Sequence, residues 1–122
     1  MTKKQGIEKE QSELIKRCYD DGSAEINGNK YEFHKMRHKE RRKVFTFLTH
    51  VQHDIAREDL WFIESPEFEQ VETIINNSVT VNGSSLSKKT DHWEEHPEDY
   101  FKFIMIALPV ISYPFMKGGL TS

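Results

Sequence analysis

The sequence predicts an α+β fold, mainly helical, in which a single domain is built on a small antiparallel hairpin or sheet. Three observations carry this. Ala24–Phe33 alternates apolar and polar residues around Asn27-Gly28, a dipeptide whose tolerance of positive φ suits the type I′ turn of a two-residue hairpin. After Phe33 the apolar period changes from two to about 3.6, which is the change from strand to helix. Two segments, Ser65-Pro66-Glu67 and Pro97-Glu98-Asp99, open with the proline and carboxylates that favour a first helical turn.

Taken in order, Ile7, Leu14, Ile15 and Cys18 fall on one helical face of residues 1–22. That stripe is thin, so this amphipathic helix needs a neighbour to order it. The globular domain is expected over 23–116 and a loose tail over 117–122. Ile26, Tyr31 and Phe33 supply the apolar face of the first hairpin. Met36–Ala56 reads as a long helix with Val44, Phe47, Leu48, Val51 and Ile55 on one face. Its first two turns, Arg37–Lys43, are almost wholly charged, so only the second half reads as core. Leu60–Ile63 is a short apolar run, either a further turn of core or a buried connector. Ser65 is a capping residue, and Phe68, Val71, Ile74 and Ile75 mark the next helical face, ended by Asn76-Asn77. Val79–Leu86 repeats the hairpin signal around Asn82-Gly83, and Ser87–Thr90 is a linker. Tyr100–Leu108 is apolar nearly all round, and Pro109 and Pro114 are expected to end or kink that helix. The expected core comprises Phe47, Leu48, Val51, Phe68, Val71, Ile74, Phe103 and Ile104.

Composition narrows the function. The 122 residues favour one domain, and 36% apolar against 30% charged residues leaves a modest core. Cys18 is the only cysteine, so no intrachain disulfide forms, which fits a reducing compartment. The start lacks the apolar run of a secretory signal. The most apolar stretch, Phe103–Ile111, has nine residues, where a membrane span needs about 20. No membrane partner is expected. Charge is unevenly spread: Lys30–Lys43 carries a local +5, Asp54–Glu72 carries −6, and Asp91–Asp99 holds five acids without Lys or Arg. Such segments neutralise one another in the fold or present faces of opposite sign to a partner.

Signals for chemistry are few. His92-Trp93-Glu94-Glu95-His96 matches H-x-x-E-H, in which histidines four apart on a helix share a metal and the glutamate acts as base. Pro97 directly after His96 argues instead for a helix start, and only 26 residues remain to supply a third ligand and a cleft. His34 with His38 and His50 with His53 have spacings that six histidines readily produce. No metal or cofactor is expected, and no Gly-rich phosphate loop or activated nucleophile is present. No enzymatic activity is expected. Lys35, Arg37, Lys39, Arg41, Arg42 and Lys43 form a candidate phosphate-binding surface, the basis of an alternative reading as a small nucleic-acid-associated or regulatory protein. The acidic chain and the absence of any named nucleic-acid motif weigh against that alternative.

The order of elements supports a resemblance. A charged N-terminal helix leads into the Asn-Gly hairpin Ile26–Phe33. A helix ending in Phe45-Thr46-Phe47-Leu48-Thr49-His50-Val51 follows, then an acidic helix, a short loop with Leu86-Ser87, and a final aromatic helix from Asp99-Tyr100-Phe101-Lys102-Phe103 through Tyr113-Pro114-Phe115. Over residues 24–116 this resembles the tail assembly chaperones of long-tailed bacteriophages. The resemblance implies a small, non-enzymatic protein of the host cell cytoplasm, absent from the mature virion. Its partner would be the tape-measure protein, or another long helical phage protein, kept soluble during tail assembly. The basic run Arg37–Lys43 has no place in that family pattern. A holding surface of this kind needs adaptable aromatic and Met-rich side chains. Tyr100, Phe101, Phe103, Met105, Ile111, Tyr113, Phe115 and Met116 are its candidates, with the domain's own core as their competing use. An apolar surface left unoccupied favours a homo-oligomer.

Overall fold

The computed structural model of the chain describes residues 2–116, with side chains from Ser12 onward. Ile7 and the tail 117–122 therefore lie outside the described side chains. The elements are α1 (Thr2–Asp21), β1 (Ser23–Ile26), β2 (Asn29–Phe33), α2 (His38–Ala56), a 3₁₀ turn Trp61–Glu64, α3 (Pro66–Ser78), β3 (Val79–Val81), β4 (Ser84–Ser85), a 3₁₀ turn Leu86–Lys88, α4 (His92–Glu95) and α5 (Pro97–Met116). This is the mainly helical α+β domain that the sequence predicts.

Both hairpins close as their turn residues require. Asn27 and Gly28 have φ of 50° and 86°, and Asn82 and Gly83 have 51° and 88°. Two consecutive positive φ values define the type I′ turn, whose twist matches that of the strands. The hairpins lie side by side in one sheet of order β1-β2-β3-β4. They are joined through Tyr31↔Val81 and Phe33↔Val79, although the whole of α2 and α3 separates those strands in sequence. Pairing and burial place Ala24, Ile26, Tyr31, Val79 and Val81 on the covered face, with Glu25 and Lys30 on the open one.

α5 covers this sheet and forms the spine of the domain. Phe103 packs on Tyr31 and Phe33, with centroids 5.1 and 6.3 Å away. Ile104, Ala107, Leu108 and Ile111 are buried between the sheet and the helices, and α2 and α1 lie along α5. α1 docks through Cys18, which is buried with Ala24 of β1 and Val110 of α5. No helix among the described residues is long and apolar enough to cross a membrane.

Three expectations need correction. α5 does not end at Pro109: it runs through Pro109 and Pro114 to Met116. Each proline removes one donor, which frees the carbonyls of Met105 and Val110. Burial of Leu108, Val110, Ile111 and Ser112 holds the helix together there. The charged start of α2 is not wholly solvated: Lys39, Arg42 and Lys43 are exposed, but Arg41 is half-buried. The Arg41 guanidinium donates to the Ile111 carbonyl at 3.1 Å, and Phe115 sits against both His38 and Phe45. Finally, Phe47 and Ile74 are only half-buried, whereas the other six expected core residues are buried.

Candidate functional site

The C-terminal aromatic set divides between core and surface. Phe103 and Ile111 are 1% and 5% exposed, so they belong to this chain's own core and are withdrawn as contact residues. The cause is topological, since α5 covers the sheet and has α2 alongside. Tyr100 is half-buried and donates its hydroxyl to Glu72 of α3. Tyr113 packs against Tyr19 of α1, with centroids 4.8 Å apart. Phe115 is held by α2, and Met116 packs against the core. Phe101, at 53% exposed, and Met105, half-buried one helical turn later, are left facing outward.

Met105 lies in an apolar cleft of about 380 Å³, which Leu14 and Ile15 of α1, Ile55 at the end of α2, and Ile106 and Pro109 of α5 also line. Lys102 stands at its edge. Leu14, Ile15 and Ile55 were legible as apolar stripe positions. Their convergence on Met105 was not, because it depends on how three helices cross. The proline ring adds to the lining and belongs to the helix itself.

The H-x-x-E-H segment has a structural use. α4 stops at Glu95, and Pro97 starts the next helix, so His92 and His96 do not share one continuous helix. The His92 Nε2 lies 2.8 Å from the Tyr31 hydroxyl, which in turn donates to Asp99 Oδ2 at 2.9 Å. Asn27 Nδ2 and Asn29 Nδ2 donate to the two Asp99 oxygens at 2.6 and 2.9 Å. Asn82 Nδ2 donates to Asn29 Oδ1 at 3.0 Å, and the Lys30 amide donates to Asn82 Oδ1. The network thus ties both hairpins to the first turn of α5. Desolvation pulls the Asp99 carboxyl up, but the hydrogen bonds from Asn29, Asn27 and Tyr31 outweigh it, and the group stays below the usual carboxylate range. Burial, then the bonded Asp99, push the Tyr31 phenol well above its ordinary value. Tyr31 and Asp99 are fully buried, so they brace the fold and face no cleft from which a substrate could reach them.

The other histidines have separate contacts or face solvent. His34 bonds Thr80 Oγ1, whereas His38 packs on Phe115. His50 and His53 are exposed on α2. Among the described residues no three His, Cys, Asp or Glu side chains converge as a metal site. Of the basic run, Lys35, Arg37, Lys39, Arg42 and Lys43 are exposed, while Arg41 is half-buried against Ile111. No protein-family model, curated protein or solved structure matches the chain.

Proposed function

We propose that the protein is a non-enzymatic assembly chaperone that holds an amphipathic helical segment of a much longer partner. The observation that carries this is the apolar cleft of Leu14, Ile15, Ile55, Met105, Ile106 and Pro109, with Phe101 exposed one helical turn before Met105. Three helices supply its walls, so a partner helix can lay an apolar stripe between them. Met105 adapts its shape to different residues in that stripe. Together with the order of elements over residues 24–116, this favours the tape-measure protein of a long-tailed phage as the partner, held in the host cytoplasm and released before the virion is complete. With the cleft empty, self-association through the same surface is expected.

Co-expression tests the reading. The chain should raise the soluble yield of a tape-measure protein encoded beside it, and Met105→Asp should abolish the gain while the variant itself stays folded. Undiminished rescue by Met105→Asp, or no rescue by the native chain, rejects this role for the cleft.

A further inference from the structure

The basic run is not absorbed by that cleft, and its surroundings suggest a second use. Arg42, Lys43 and His50 of α2 and Glu67 of α3 line the same depression. Between the two helices lies a groove of about 400 Å³, floored by the half-buried Phe47 and Ile74. Phe47 packs edge-on to Phe62 at 5.5 Å and against Phe68 at 5.7 Å, which leaves part of its ring toward the groove. On each wall the lining residues recur at three- and four-residue steps over two turns, so the groove is straight for roughly 10–12 Å. Neither Arg42 nor Lys43 has a carboxylate within ion-pair distance among the described residues.

We infer that this α2–α3 groove is a second docking site, which takes an acidic amphipathic helix from a partner protein. The groove's geometry asks for a large aliphatic or aromatic anchor over Phe47 and Ile74. Its charge asks for carboxylates on the flank facing Arg42 and Lys43, and for none on the flank facing Glu67. A nucleic-acid backbone fits less well. It has no use for the apolar floor, Glu67 repels phosphate, and Arg41 is already committed to Ile111. The inference is independent of the α5 cleft, because Met105 lies outside this groove.

The test uses the full chain and three probes. Two are synthetic amphipathic helices of about 18 residues with the same leucine stripe, one bearing glutamates and the other lysines on a single flank. The third is a DNA duplex of about 20 base pairs. The glutamate helix should bind at least about tenfold tighter than the lysine helix, and added salt should narrow the gap. Arg42→Glu/Lys43→Glu, a change confined to exposed positions, should invert the preference, and Met105→Asp should leave it unchanged. Ile74→Asn should weaken both peptides, provided its thermal unfolding stays cooperative. Equal affinity for the two helices, or no binding of the glutamate helix, overturns the inference. So does salt-sensitive DNA binding that is lost in Arg42→Glu/Lys43→Glu but kept in Ile74→Asn, which would assign the surface to nucleic acid.

Discussion

The Tyr31 hydroxyl has one proton and two neighbours, and the chemistry of those neighbours decides where it goes. Ionised Asp99 can only accept, so Tyr31 donates to it, and His92 must present an N–H from Nε2 to the tyrosine oxygen. The fold therefore fixes the His92 tautomer. Burial first, and then His96 and Lys89, hold its pKa below the ordinary histidine value. The unfolded chain takes up that proton more readily than the folded one. The His92 contribution to stability is thus complete above the unfolded pKa of about 6.5, and it is lost as pH falls through that value toward the folded pKa. Asp99, also lowered, adds a loss only further into acid. The urea midpoint should accordingly fall between about pH 7.5 and 5.5. His92→Gln, whose amide can still donate to Tyr31, should lose less over that range. An identical acid loss in the variant would show that His92 does not titrate against folding. None of this network was legible in the sequence. H-x-x-E-H draws attention to a histidine four residues away, whereas the bonded partner Tyr31 is 61 positions distant.

Local punctuation governs the elements. Ser65 Oγ accepts from the Phe68 amide at 3.1 Å and donates to the Phe62 carbonyl at 2.6 Å, so one hydroxyl both caps α3 and closes the preceding turn. Ser65→Ala should cost about 1 kcal/mol in chemical denaturation, and an unchanged free energy would mean that Pro66 and Glu67 set the helix start alone. Signals of this kind made the hairpins and the start of α3 readable, because each rests on a few adjacent residues. The second half of α2 was readable from its apolar period. What failed was inference from a single residue type to the fate of a whole element. Prolines in α5 were expected to end or kink it; they do not end it, because neighbouring burial outweighs two missing donors. Charge in the first half of α2 was expected to mean solvation, and that holds for every base of the run except Arg41, which reaches a carbonyl.

At the scale of the molecule, apolar residues divide between a core and surfaces left open. The sequence marks Phe47 and Phe68 alike, but Phe68 is fully buried and Phe47 borders the groove. Phe68→Ala should cost about 3–5 kcal/mol, the usual range for emptying a large core site, and Phe47→Ala clearly less. Equal losses in urea denaturation would show Phe47 to be as fully enclosed as Phe68. The same ambiguity explains why the C-terminal aromatic cluster was legible as important while its split between core and cleft was not. The central ladder of the sheet also has a kinetic side. Each hairpin closes over two residues, but Tyr31 cannot meet Val81 until residues 34–78 have looped back. That closure costs chain entropy before any β2–β3 bond repays it. α3 shortens the search by passing straight into β3: Val79 is both its cap and the first strand residue, and the preceding Ser78 carbonyl receives the His34 amide. Gathering α2 against α3 therefore shortens this closure, and the sheet is completed by the return it makes possible.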